Sequence, residues 1–148
     1  MKAVPKKLRE DPLWKETLAL TEYMYGKVDE LTVNYPEEEW ASANKLRNSA
    51  NDSLFYVAQA LGNTEASASE YDWSYARKNL FSTETMYIFA TKQKLIDLEP
   101  EIVVRIDRLI EAIDSLIEKA KEDAETKTKR ELEPWLEKYR LWQQMQEK

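Results

Sequence analysis

Apolar side chains recur at steps of three and four residues in four separate stretches of the chain. This spacing stacks side chains on one face of a helix and is typical of amphipathic α-helices. No stretch shows the two-residue alternation of a half-buried strand, so the pattern predicts an all-α fold. The repeating positions are Trp14, Leu18, Thr21, Tyr25 and Val28; then Trp40, Ala43, Leu46, Ala50, Leu54, Val57 and Leu61; then Trp73, Ala76, Leu80, Thr83, Tyr87 and Ala90; and finally Ile102, Ile106, Leu109, Ile113, Leu116 and Ala120.

Short helix-breaking segments separate these four stretches. They contain Pro36, the pair Gly62-Asn63, and Pro100. Proline disfavours helix in the residue before it and can open the next helix, and glycine is common just after a helix end. Because short connections make consecutive helices antiparallel neighbours, residues 11–124 are predicted to form an antiparallel up-down-up-down four-helix bundle.

Both ends of the chain are predicted to lie outside this bundle. Residues 1–10 are expected to form a basic amino-terminal arm. Residues 125–148 are expected to form a C-terminal extension, because the polar run ETKTKRE and then Pro134 favour a hinge. A short additional amphipathic helix is predicted after the hinge, and its aromatic side chains are Trp135, Tyr139 and Trp142.

The composition fits one soluble domain. The chain has 148 residues, a formal net charge of −6 and only two glycines, too few for the many turns of a sheet protein. There is no secretory signal and no apolar run long enough to span a membrane, so we expect a cytoplasmic protein with no membrane partner.

The residue types of common catalytic sites are absent from the sequence. It has no histidine and no cysteine, which removes Ser-His-Asp and Cys-His constellations and ordinary zinc sites. It also lacks the glycine-rich loops that hold nucleotide phosphates. We therefore expect a protein that is not an enzyme and that needs neither a cofactor nor a metal.

Local basic clusters stand out against the acidic average. They are candidates for contacts with nucleic-acid phosphates, and the alternative is an ordinary solvated charged face. The candidate nucleic-acid-binding residues are Lys6, Lys7 and Arg9 in the basic amino-terminal arm and Arg77, Lys78, Lys92 and Lys94 in the third helix.

Two further sets are candidates for contacts with a partner protein. The second helix carries a polar row opposite its apolar stripe, which is either a contact face or an exposed polar surface. Large aromatic side chains normally seek burial, so the C-terminal aromatics should dock either on their own bundle or on another chain. The candidate partner-binding residues are Arg47, Asn48 and Asn51, together with Trp135, Tyr139 and Trp142.

The segment from Tyr35 to Asn63, YPEEEWASANKLRNSANDSLFYVAQALGN, resembles a known family of four-helix bundle proteins. These are the proteins encoded in ribosomal RNA intervening sequences and the accessory variability determinant of diversity-generating retroelements. The resemblance extends more loosely from Trp14 to about Ala124. It implies an antiparallel bundle that assembles as a ring, commonly a pentamer. In the retroelement branch it also implies a reverse transcriptase partner and nucleic-acid binding through basic residues.

Two functional hypotheses follow. The first is an oligomeric, non-enzymatic accessory protein that binds a reverse transcriptase or a similar nucleic-acid enzyme and helps present RNA or DNA. The second is a self-assembling protein–protein interaction module that binds no nucleic acid. Both predict a homo-oligomer, because five tryptophans and eight tyrosines exceed what one small bundle buries, and aromatic residues are enriched at subunit interfaces.

Overall fold

The computed structural model describes residues 6–38, 42–63 and 65–147. These residues form four long helices, two short helical turns and no strand, so the predicted all-α class is confirmed. In chain order the elements are α1 (Lys6–Arg9), α2 (Pro12–Asn34), a 3₁₀ turn (Pro36–Glu38), α3 (Asn44–Gly62), α4 (Ala66–Lys92) and α5 (Pro100–Gln146).

Helix α2 begins where the sequence provides a cap. The Asp11 carboxylate accepts hydrogen bonds from the backbone N–H groups of Leu13 at 2.9 Å and Trp14 at 3.1 Å. Pro12 occupies the first helical position, where its missing N–H has no intrahelical partner to lose. These residues fix the start of α2 one residue after the predicted boundary. The short helix α1 lies within the predicted basic arm and contacts α2 and α3.

Helix α4 ends in a closed turn. The N–H of Leu95 donates to the carbonyl of Ala90 at 3.0 Å, and the N–H of Lys94 donates to that of Thr91 at 3.0 Å. This pair of bonds is the Schellman arrangement, which places one residue in the left-handed region. Lys94 takes that conformation, with φ of 60°, at a position where glycine is usual. The chain therefore turns sharply toward α5, and Ile96 in the turn is buried.

Three pairs of neighbouring helices run antiparallel: α3 with α4, α4 with α5, and α5 with α2. Along each of these pairs, contacts at rising residue numbers on one helix match falling numbers on the other. The joined helices are α2 with α3, α3 with α4, α4 with α5, and α5 with α2. The contacts are Thr21 to the Ala50 carbonyl at 3.3 Å, Thr83 to Ser49 at 3.0 Å, Asn63 to Asp72, Arg77 to Asp114, Lys127 to Glu65 at 3.0 Å, Arg105 to Glu16 at 3.8 Å, and Tyr23 to Glu99.

The core lies where these helices meet. All six predicted positions of the third stretch are buried, as are Ile106 and Ile113 in α5. The predicted stripe on α2 was wrong at Tyr25, whose side chain is exposed. The buried row keeps Thr21 and Val28 of the predicted stripe, with Thr17 and Met24 in place of the neighbouring Leu18 and Tyr25. The predicted position Trp40, in the second stretch, lies outside the described residues. The buried row on α2 is Thr17, Leu20, Thr21, Met24, Val28 and Leu31.

The C-terminal prediction was also wrong. Residues 100–146 form one continuous helix, so there is no hinge and no separate short helix at this end, and the predicted boundary at residue 124 falls inside α5. Within the helical polar run, the threonine hydroxyls donate to backbone carbonyls one turn earlier: Thr126 to Glu122 and Thr128 to Ala124, both at 2.9 Å. Pro134 sits inside the helix.

We call α2, α3, α4 and residues 100–127 of α5 the helical body, and residues 128–146 the arm. The ion pair between Lys127 and Glu65 lies at the end of the body. Every residue of the arm is exposed. Among the described helices, none has a segment long and apolar enough to cross a membrane.

Candidate binding surfaces

An open groove of about 720 Å³ runs between α3 and α4. Beneath the groove, Thr83 donates a hydrogen bond to Ser49 at 3.0 Å, which joins the two helices. The charged, amide and aromatic side chains on its walls are Lys45, Asn48 and Asp52 from α3 and Arg77, Lys78 and Phe81 from α4.

Two cations of this groove, those of Arg77 and Lys78, lie against neighbouring groups. The Arg77 guanidinium pairs with the Asp114 carboxylate of α5 and lies 4.7 Å from the centre of the Phe81 ring. The Lys78 ammonium lies 5.8 Å from the centre of the Tyr75 ring. Cations over aromatic faces are attracted by the ring quadrupole, so the groove presents positive charge beside exposed rings.

A row of aromatic side chains crosses the same face of α3 and α4. We call these four residues the aromatic row: the ring centres of Phe55 and Tyr56 lie 5.3 Å apart, those of Tyr56 and Tyr75 5.1 Å, and those of Tyr75 and Tyr71 4.5 Å. Phe55 and Tyr71 are both more than half exposed. The hydrogen bond with Tyr75 raises the pKa of the Tyr71 hydroxyl. The row is an apolar surface with hydroxyl groups at its edges.

The groove between α3 and α4 brings together residues from both predicted sets. Asn48 of the partner-binding set lines it, as do Arg77 and Lys78 of the nucleic-acid-binding set. Arg47 is half-buried and Asn51 is exposed, and neither lines it.

The other predicted basic residues lie elsewhere. Lys92 and Lys94 are exposed at the C-terminal end of α4, and Lys92 is about 22 Å from Arg77 along the helix axis. Arg9 is exposed at the end of α1. The side chains of Lys6 and Lys7 lie outside the described part of the chain. The structure does not join these residues into one basic surface with the groove.

The second candidate surface is the arm. The side chains of Trp135, Tyr139 and Trp142 are 68%, 55% and 55% exposed, so they do not dock on the helical body. The rings of Tyr139 and Trp142 stack with their centres 6.0 Å apart. Leu132 and Leu136 extend the stripe along the same helix and are also about half exposed. The arm therefore carries a continuous apolar stripe that nothing in the described chain covers.

A pair of carboxyl groups, the half-buried Glu84 of α4 and the exposed Asp107 of α5, connects these two helices. Burial is the main cause that raises the pKa of Glu84 to about 7, and a hydrogen bond with Asp107 raises it further. The second oxygen of Glu84, Oε2, is buried with no hydrogen-bond partner in the described residues. In the described residues, no group of three or more His, Cys, Asp or Glu side chains is placed to hold a metal ion.

The sequence did not predict the aromatic row or two of the residues that line the groove. Lys45 and Phe81 were outside the candidate sets, although both line the groove. The spacing of Tyr71 and Tyr75 puts them on one helical face, a pattern that is visible in the sequence. The contact of that face with Tyr56 depends on how α3 packs on α4, which the sequence does not specify.

Comparisons with protein-family models, with curated proteins and with solved structures found no match. The class of the protein therefore rests on its own fold and surfaces. It is an all-α protein that presents a groove with an aromatic row on its body and a projecting helix with an exposed aromatic stripe.

Proposed function

We propose that the protein is a self-assembling, non-enzymatic protein–protein interaction module. In this proposal the antiparallel helices form an up-down-up-down four-helix bundle, a rigid base from which the arm projects. The arm is the contact element. The observation that carries the proposal is the exposure of its aromatic stripe.

The free-energy costs of leaving the arm exposed support the proposal that another chain covers it. A proline inside a helix costs roughly 3 kcal/mol, and Pro134 lies in the middle of a helical segment that has no intramolecular packing. Two tryptophans and a tyrosine in contact with water add an unfavourable apolar surface. Both costs are offset if the stripe is buried against another chain.

Light scattering by the full chain tests this function. Self-assembly predicts a mass above that of one 17.5 kDa chain at micromolar concentration. A monomer mass over the whole range would contradict it.

The groove favours a second candidate function, the nucleic-acid accessory role. Single-stranded nucleic acid binds to surfaces that combine positive charge with aromatic platforms, and Lys45, Lys78 and the aromatic row provide both on one face. The pairing of Arg77 with Asp114 and the net charge of −6 weaken this candidate. A reverse transcriptase partner is a prediction from the family resemblance alone.

Binding of a labelled single-stranded oligonucleotide at several salt concentrations tests the second function. The double variant Lys45→Glu/Lys78→Glu should lower both the affinity and its salt dependence, because phosphate contacts release counterions. The double variant Lys15→Glu/Lys119→Glu, with exposed changes on α2 and α5, is the control for the same change in net charge. Equal binding by the groove variant and the parent would exclude the groove as the nucleic-acid site.

A further inference from the structure

The apolar stripe of the arm lies on the same side of α5 as the helical body. At about 3.6 residues per turn, Trp135 follows Ile117 by five helical turns and Trp142 follows Ala124 by five turns. Ile117 packs against the core, and Ala124 is half-buried. Leu132 follows Asp114, which binds α4 through Arg77, by the same interval. Trp135 and Trp142 therefore continue the side of α5 that contacts the body, and Tyr139, which follows the exposed Lys121 by the same interval, lies toward the edge of that side.

The body ends where the stripe begins. Lys127 pairs with Glu65, just before the first residue of α4. The arm beyond it is about 28 Å long at about 1.5 Å per residue. It projects past the amino-terminal end of α4, and the described chain does not occupy the space in front of the stripe. The occupant of this space must be an elongated apolar surface of similar length, such as another helix.

We infer that the occupant is the arm of a second copy of this chain, packed antiparallel in a two-fold symmetric dimer. The inference rests on the proposed self-assembly and names the segment that mediates it. The four stripe positions Leu132, Trp135, Tyr139 and Trp142 recur at three and four residues, the a and d spacing of a coiled coil. A face that repeats in this way is complementary to a copy of itself.

The position of the body selects the antiparallel orientation. Because the stripe faces the side of α5 where the body lies, a parallel partner arm would carry its own body into that same volume. An antiparallel partner places its body at the far end of the paired arms. This orientation also separates two bodies that belong to chains of net charge −6.

The antiparallel register follows from the stripe. With the two-fold axis at residue 137, each Leu132 lies opposite the second copy's Trp142, and each Trp135 lies opposite its Tyr139. In this register each large side chain packs against a different residue of the second copy and not against the same residue. The lysine nearest the axis, Lys138, already places its ammonium 5.1 Å from the centre of the Trp135 ring, which moderates repulsion between the two copies.

The contact is large enough for a specific dimer. If each stripe side chain, with Leu136 at the edge, loses about 100 Å² of exposed surface, the two arms bury roughly 1,000 Å² together. That area is near the lower limit for a stable biological interface. The rings of Tyr139 and Trp142 already stack on each other in the single chain, and side chains that keep their conformation on pairing lose less entropy.

The orientation is tested by disulfide cross-linking in the full chain, which has no native cysteine. Lys138→Cys lies on the edge of the stripe beside the proposed axis, so it should form a disulfide-linked dimer on its own. Glu137→Cys is the matched control on the opposite face and should not. A linked dimer that forms only when Lys138→Cys is mixed with Gln143→Cys indicates parallel arms and overturns the antiparallel inference.

The role of the arm is tested by sedimentation of the double variant Trp135→Ser/Trp142→Ser. We expect the dimer dissociation constant to rise about 100-fold, because buried tryptophans dominate interface energy. Leu141→Ser, an exposed change on the far side of the arm, should leave it unchanged. An oligomer that survives the tryptophan changes overturns arm pairing while self-assembly stands. A parent protein that is monomeric overturns both. Unchanged circular dichroism of the variants shows that the body is intact.

Discussion

Replacing Glu84 by glutamine should stabilise the protein above neutral pH and leave its stability nearly unchanged in mild acid. The Glu84 carboxyl hydrogen-bonds Asp107 across the contact between α4 and α5, and its pKa is raised from an ordinary 4.5 to about 7. The folded protein therefore holds a proton that the unfolded chain releases. This contribution to stability is complete below pH 4.5 and is lost as the pH rises through about 7.

The magnitude follows from the pKa. A rise from 4.5 to about 7 corresponds to an upper bound of about 3 kcal/mol. Glu84 is half-buried, so solvent reduces both the cost of burying its charge and its repulsion from Asp107, and about 1 kcal/mol is the expected effect. Glutamine keeps the shape and the neutral charge of the protonated carboxyl and does not ionise.

Urea denaturation at about pH 5 and about pH 8.5 measures the effect as a difference in the free energy of unfolding. Glu84→Gln should exceed the parent by about 1 kcal/mol at the higher pH only. Glu22→Gln, which removes an exposed carboxylate from α2, is the control for net charge. A gain of equal size at both pH values, or a loss at the higher pH, would refute the proposed proton-sharing pair.

Three further predictions test the fold by chemical denaturation. Lys94→Gly should stabilise by about 0.5–1 kcal/mol, because glycine adopts the left-handed φ of 60° at the end of α4 without strain; a loss of stability would show that the Lys94 side chain makes an important contact. Ile113→Ala should cost about 2–5 kcal/mol, whereas Glu118→Ala on the exposed side of α5 should cost less than about 0.5 kcal/mol; similar losses would mean that α5 packs by a different face. Asp11→Ala should cost about 1 kcal/mol by removing the two capping hydrogen bonds of α2, and no loss would mean that the cap is formed otherwise.

The sequence predicted α4 better than the other helices for a physical reason. All its marked positions are buried, because both neighbours of α4 press on one narrow face. On α2, two overlapping rows with the same spacing include Thr21 and Val28, one with Met24 and one with Tyr25. The predicted row contained Tyr25, whereas the buried row contains Met24. The ring of Tyr25 is large enough to be partly exposed, while Met24 fills the core. Periodicity gives the spacing of a buried face but not always which of two adjacent rows is buried.

The predicted hinge at the C-terminal end was wrong because a proline and a polar run do not by themselves end a helix. The sequence predicts a break at the polar run and Pro134, but the helix already formed in the body continues through both. Propagation of an existing helix avoids the cost of nucleation. The aromatics of this segment were correctly identified as unusual. Their position on a projecting arm depends on the length of α5 relative to α4, which the sequence pattern did not show.

Part of the candidate site was accessible from the sequence. Arg77 and Lys78 were identified as a charged pair, and Asn48 as part of a polar row, but their meeting in one groove requires the packing of α3 on α4. The wider basic set does not converge, since Lys92 and Lys94 lie at the end of α4. Charge clusters in a helical sequence identify residue types that can bind, and the tertiary fold decides which of them share a surface.

Sedimentation equilibrium of the full chain at micromolar concentration tests the central claim most directly, because self-assembly is what the exposed stripe of the arm requires. The arm-paired dimer predicts a mass twice that of the 17.5 kDa chain, decreasing toward the single-chain value on dilution. A mass of 17.5 kDa at every concentration, with Trp135 and Trp142 remaining in contact with solvent, would contradict the proposed function.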